Sequence, residues 1–198
     1  MSLILASASS ARAAMLRQAG LDFAVQPARI DEAEIKRALQ AEGAGPREAA
    51  EALAELKARR GTPATGDDSF VIAADQMLAC EGRWFDKPAD MAEARTQLQA
   101  LRGRTHDLVS AVVVARSGTI IWRHIDGARL TMRAFSDGFL DAYLAQAGDA
   151  VLQSVGCYQL EGLGVQLFSR IQGDFFTILG LPLLPLLDFL RHHQVLRT

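Results

Sequence analysis

Leu3-Ile4-Leu5-Ala6-Ser7-Ala8-Ser9-Ser10-Ala11-Arg12 reads as a strand, a small hydroxyl-rich turn and the opening of a helix. Such a turn gathers unspent backbone N–H groups and the positive end of the helix dipole at one point, a natural cradle for an anion. Arg12 sits in the first helical turn, where a cation is unfavourable for the dipole, and carries a charged fork suited to phosphate. The ordinary alternative is a plain serine cap with a solvated arginine.

Outward from this turn, helices and strands alternate. The first helix spans about 10–19 and stops at Gly20. A short strand follows at Phe23-Ala24-Val25, and Asp31 caps a second helix into which Glu34 can reach back. A third helix starts at Pro46 and ends before Gly61, with Ala49, Leu53 and Leu56 as its apolar stripe and Lys57 flanking the buried face. Residues 62–69 read as loop. Phe70-Val71-Ile72-Ala73-Ala74 is a central strand covered on both faces, ending at Asp75. A hairpin at Glu81-Gly82 precedes a helix opened by Asp90 and Glu93 and stopped by Gly103. Strands are expected over 108–115, 120–125 and 128–132, the first two joined by Ser117-Gly118. Ser136 caps a helix ending at Gly148. The glycine-rich last third carries short strands and closes with a helix over 183–192. The alternation gives an α/β or α+β domain with a mixed sheet.

Length and composition narrow the class. The 198 residues, 49% hydrophobic and 22% charged, suit one globular core or a compact two-lobed unit. A net charge of −2 argues against broad nucleic-acid binding. Two cysteines, Cys80 and Cys157, form no framework and point to a reducing compartment. The opening is too short and lacks the basic residues of a signal peptide, and the apolar run 178–187 holds two prolines and is too short to span a bilayer. The expectation is a cytoplasmic protein that binds neither membrane nor nucleic acid.

The candidate chemistry is dispersed. Asp75, a carboxylate at the end of a buried strand, needs a cation, a metal or a donor, or else it caps the next turn. Glu32 lies in a first helical turn, where a solvated, dipole-stabilising acid is the ordinary reading. Lys57 has the reading of a snorkelling surface lysine. Lys87 is presented on the Lys87-Pro88 loop, or is a turn lysine. Gly103-Arg104-Thr105-His106 could serve a phosphate or support the site, and His106 lacks partners at zinc-ligand spacing. Together they form one inventory: two carboxylates for Mg²⁺ or Mn²⁺, three cations for phosphates, and a serine-lined helix start. That inventory fits phosphoanhydride hydrolysis, in which positioning and charge neutralisation dominate.

Taken in order, these segments resemble the Maf family of nucleoside triphosphate pyrophosphatases, once named for septum formation inhibition. The resemblance rests on the turn 7–12, Asp31-Glu32, Lys57-Ala58, Ala73-Ala74-Asp75, Lys87-Pro88 and Gly103-Arg104-Thr105-His106. It continues through Gly156-Cys157-Tyr158, Glu161-Gly162, Ile171-Gln172-Gly173-Asp174 and Gly180-Leu181-Pro182-Leu183, across nearly the whole chain. It implies one Maf/ITPase-like domain over 1–198, with a mixed twisted sheet flanked by helices, two lobes around a central cleft, a divalent cation and a homodimer. The implied reaction cleaves between the α- and β-phosphates, releasing a monophosphate and pyrophosphate. Asp75 is then the general base for a metal-bound water and Glu32 helps hold the metal. Lys57, Lys87 and Arg12 neutralise the triphosphate, Ser7 and Ser9 contact it, and Gln76 and Glu161 face the base.

The chain departs from the pattern at Ser10 and Ala11, where the family commonly has Pro and Arg. Gln76 and Glu161 stand where the pyrimidine-directed branch has Thr and Gln, which resembles the 7-methyl-GTP branch, although Ala11 replaces that branch's Trp. Ionised Glu161 only accepts hydrogen bonds, which favours a guanine-type base offering N–H donors. The competing expectation, motivated by Ser10 and Ala11, is a catalytically weak nucleotide-binding regulator of cell division that works through protein partners.

Overall fold

The computed structural model describes residues 2–63 and 68–197; of the expected loop 62–69, positions 64–67 lie outside the described residues. The chain is α/β, with a mixed sheet flanked by helices. The strands are β1 (Leu3–Leu5), β2 (Ala24–Val25), β3 (Phe70–Cys80), β4 (Arg83–Phe85), β5 (Thr105–Arg116), β6 (Thr119–Met132) and β7 (Phe168–Gln172). The helices are α1 (Ser10–Gln18), α2 (Glu32–Ala41), α3 (Pro46–Arg60), α4 (Met91–Leu101), α5 (Asp137–Ala147), α6 (Phe175–Ile178) and α7 (Leu183–His192). The sheet order is β2-β1-β3-β5-β6-β7, with β4 paired to β3. β1 runs parallel to both β2 and β3, whereas β3 with β4 and β6 with β7 are antiparallel.

The chain divides into two compact units, each assembled from separate segments. Unit 1 holds residues 1–76, 109–126 and 175–198; unit 2 holds 77–108 and 127–174. In unit 1, one face of the sheet is built from Leu3, Leu5, Phe70, Ile72, Ala74, Val112 and Val114. Met15 and Leu16 of α1 and Leu186, Phe189 and Leu190 of α7 cover it. The period of two turns Val71, Ala73 and Asp75 to the opposite face. There α3 packs through Ala49, Ala50, Leu53, Ala54 and Ala58, all fully buried. Its end comes very close to the sheet: a Cβ on Gly61 would lie 2.5 Å from Ala6 Cβ and 3.4 Å from Val71 Cγ1. Only glycine lets α3 dock at this depth, and that depth sets how far Lys57 reaches.

Several expectations shift. β3 does not end at Asp75 but continues to Cys80, with Met77 and Leu78 fully buried, so Asp75 is a mid-strand residue and caps no turn. The buried face of α3 includes Lys57 itself, and Leu56 is only partly covered. Residues 119–132 form one strand rather than two, extended through Gly127. The expected short strands of the last third reduce to β7; turns of 3₁₀ helix occupy Gly148–Gln153, Val155–Cys157 and Leu163–Leu167. Among the described residues no helix is long and apolar enough to cross a membrane.

Unit 2 contains a buried histidine. His106, 1% exposed, pairs through Nε2 with the Tyr158 hydroxyl at 2.8 Å, and its Nδ1 is buried without a partner. It packs against the rings of Tyr158 and Phe168. Neighbouring Arg104 pairs with Glu81, and the Thr105 and Thr131 hydroxyls bond at 2.9 Å. The 103–106 group is thus a structural joint of unit 2. Burial lowers the His106 pKa to about 4. An unfolded histidine near 6.5 binds a proton that the folded one refuses, so stability is complete above pH ~6.5 and falls as pH drops toward 4. The loss should reach ~3 kcal/mol for a shift of this size. Unfolding free energies measured from pH 7 to 4 should show that slope in the wild type and a flatter one in His106→Phe.

Candidate functional site

Three side chains converge in unit 1. Asp31 caps α2 by accepting from the Glu34 amide at 3.0 Å, which sets the first turn and with it Glu32. α3 carries Lys57 inward, and β3 presents Asp75 on the same face. Lys57 Nζ bridges the two acids, 2.5 Å from Asp75 Oδ1 and 2.8 Å from Glu32 Oε1. Lys57 and Asp75 are buried, whereas the Glu32 side chain is 46% exposed and opens the cluster to solvent. Asp75 Oδ2 is buried and has no hydrogen-bond partner. The lysine therefore holds one carboxylate oxygen and leaves the other available to accept a proton or bind a cation. The snorkelling lysine does not survive this geometry, and the half-exposed first-turn acid Glu32 is paired with Lys57.

The turn before α1 lies in the same unit. Ser9 caps α1, its Oγ accepting from the Arg12 amide at 3.3 Å. Ser7 Oγ accepts from the Ser9 amide and from Arg12 Nη1, each at 3.2 Å. Both hydroxyls shape the turn, and each retains a proton to donate. Ser10 and Ala11 occupy the first two helical positions, whose amides have no intrahelical acceptor. Arg12 is only partly exposed, and its guanidinium is held by the protein. Its Nε donates to Gly180 O at 2.8 Å and its Nη1 to Ala74 O at 2.9 Å. Burial lowers the Arg12 pKa, opposed by the charges of Asp75 and Glu32, and the guanidinium stays protonated.

Gln76 follows Asp75 and points to the other face of β3. Its Nε2 donates to Ser110 Oγ (3.0 Å), Thr177 O (3.2 Å) and Ile178 O (3.0 Å). Carbonyls only accept, so the amide nitrogen must face them and its hydrogens are committed inside the protein. Ser110 and Thr177 were not legible as site residues, although each is a lone hydroxyl inside an apolar run. Lys87 and Glu161 are exposed loop residues of unit 2: Lys87 between β4 and α4, Glu161 ahead of the 163–167 turn.

The arrangement is two acids and two cations whose formal charges cancel, beside a helix N-terminus with spare donors. It can bind a phosphate edge and polarise a water. Residues 2–193 match the family described as Maf-like protein. The chain belongs to the Maf-like family. This Maf-like chain is 57% identical over 196 residues, 99% of each protein, to a nucleoside triphosphate pyrophosphatase of Granulibacter bethesdensis. It is 58% identical over 190 residues to the protein of that name in Paramagnetospirillum magneticum, covering 96% of this chain and 97% of that one. It is also 51% identical over 189 residues to a 7-methyl-GTP pyrophosphatase of Rhizobium meliloti, covering 96% and 94%.

Proposed function

We propose that this Maf-like protein hydrolyses a nucleoside triphosphate at the α–β phosphoanhydride, giving a monophosphate and pyrophosphate. The observation that carries the reading is the Glu32–Lys57–Asp75 bridge with its unpartnered Asp75 Oδ2. Relatives at more than half identity that bear the name nucleoside triphosphate pyrophosphatase support it. Asp75 Oδ2 takes the proton from the attacking water, while Lys57 on Oδ1 holds the carboxylate in place. The bond from the α-phosphorus to the bridging oxygen breaks, and pyrophosphate leaves.

A divalent cation fits the residues present. Among the described residues no group of three or more acidic, histidine or cysteine side chains forms a cage. Mg²⁺, however, is commonly held by one or two carboxylates together with substrate phosphates. The half-exposed carboxylate of Glu32 and the Asp75 carboxylate beside it would supply those donors. The cancelled charges of Arg12, Lys57, Glu32 and Asp75 leave a triphosphate in need of added positive charge, which the cation supplies when bound. The Ser7–Ser9 turn completes the phosphate contacts of unit 1 in this reading; the roles of Lys87 in neutralising phosphate and of Glu161 in meeting the N–H edge of a guanine-type base such as that of 7-methyl-GTP are carried by the family resemblance alone.

Pyrophosphate release should be measured with Mg²⁺ or Mn²⁺ against 7-methyl-GTP, GTP, UTP, dTTP and modified pyrimidine triphosphates. Release that needs the cation and is fastest with 7-methyl-GTP is the expected result. Preference for UTP or dTTP would overturn the base assignment, and turnover unaffected by EDTA the cation. Binding of triphosphates without turnover across the panel would favour the regulator.

A further inference from the structure

Asp75 is gripped on both sides through its neighbours, and both grips end on the same short segment. Ala74 precedes it and Gln76 follows it, and by the period of two both side chains face away from the Asp75 carboxylate. Arg12 Nη1 holds Ala74 O at 2.9 Å, while Arg12 Nε holds Gly180 O at 2.8 Å. Gln76 Nε2 holds Thr177 O and Ile178 O. Ser110 Oγ donates to the same Thr177 O at 2.8 Å, and Thr177 Oγ1 donates to Asp126 Oδ2 at 3.0 Å. Thr177 and Ser110 are fully buried. Gly180 has φ +95°, and a Cβ there would lie 3.4–3.5 Å from Arg12 Nη2, Arg12 Nε and Gln76 Oε1.

We infer that residues 177–180 form a buried brace for the general base, and that Arg12 and Gln76 are positioning residues that clamp β3 to it. The inference rests on the proposed hydrolysis only for its kinetic consequences. It reassigns two side chains that the motif pattern places on the substrate. Three donors of the Arg12 guanidinium and the amide nitrogen of Gln76 are already spent on protein acceptors. Moving Arg12 Nε or Nη1, or the Gln76 amide nitrogen, onto a ligand would strand buried carbonyls, each at a cost of ~1–3 kcal/mol. A lysine at position 12 keeps the charge but cannot span two carbonyls with one planar fork.

Kinetics and hydrogen exchange test this together on Arg12→Lys, Gln76→Leu and Ser110→Ala in the full chain. All three should lower kcat by roughly tenfold or more, as expected when catalytic geometry loosens, with KM changed less than threefold. Gln76→Leu should lower kcat by the same factor for every nucleotide, leaving their ranking intact. A raised KM at normal kcat in Arg12→Lys would make Arg12 a phosphate contact, and a changed ranking in Gln76→Leu would make Gln76 a base contact; either overturns the brace. Exchange reads the brace without activity. Peptides covering 73–76 and 175–181 should lose protection together, by about tenfold, in Ser110→Ala, while melting confirms a folded protein. Unchanged protection at 73–76 would overturn the proposal even if no nucleotide is turned over. Loss of protection in Ser110→Ala, in a protein whose wild type hydrolyses nothing, would uphold the brace and reject the hydrolase reading alone.

Discussion

Asp75→Asn is expected to reduce pyrophosphate release by ~10²–10⁴-fold, the range for losing a positioned general base, while leaving the fold in place. The replacement keeps the volume of the side chain and an oxygen that can accept from Lys57 Nζ, now 2.5 Å from Asp75 Oδ1. What disappears is the negative charge and the proton acceptor at Oδ2, the buried oxygen that has no other partner. Pyrophosphate release under saturating Mn²⁺, compared with a melting curve of the same sample, checks the prediction. Normal turnover would remove Asp75 from the mechanism, whereas a lost melting transition would show that the charge was needed for folding.

Lys57→Met should have the largest effect on stability. It takes the ammonium from between two carboxylates and leaves Asp75, 4% exposed, without its closest counter-charge. Breaking a buried pair on one side costs ~3–5 kcal/mol. Glu32 can turn to water and Arg12 still contributes favourable charge, so the lower end, ~3 kcal/mol, is expected for this site. In a chain of this length that lowers Tm by roughly 6–12 °C. Mn²⁺ or Mg²⁺ should restore part of the loss, because a cation bound to Asp75 and Glu32 replaces the missing positive charge, and should shift the wild type less. The double variant Lys57→Met/Asp75→Asn should be less destabilised than the sum of the single changes, since the stranded charge is gone. Thermal melts with cation and with EDTA decide all three points. An unchanged Tm in Lys57→Met would mean that the bridge contributes nothing to folding.

Local signals located most of the elements. Asp31, Asp90 and Ser136 each cap the helix they were expected to open, because a cap is a contact between a side chain and an amide two or three residues away. The continuous apolar run at 70–74 identified a strand buried on both faces. Its end was misplaced because an acid reads as a boundary until a partner is known. Lys57 lies 18 positions away in sequence, and its ammonium is what permits a carboxylate in mid-strand.

The sequence by itself determined the family, the capped helices, the central strand and the chemical types of the site: two acids, the basic residues and a serine turn. Those follow from residue identity and short-range spacing. Only the tertiary structure decided which groups meet. It placed Lys57 between Glu32 and Asp75, left Oδ2 of Asp75 unpartnered, and spent Arg12 and Gln76 on Gly180, Thr177 and Ile178, a hundred or more positions along the chain. The physical reason is burial: a polar group removed from water must take whatever donor or acceptor the fold brings to it, and that partner is chosen by packing, as the close approach of Gly61 to Ala6 shows.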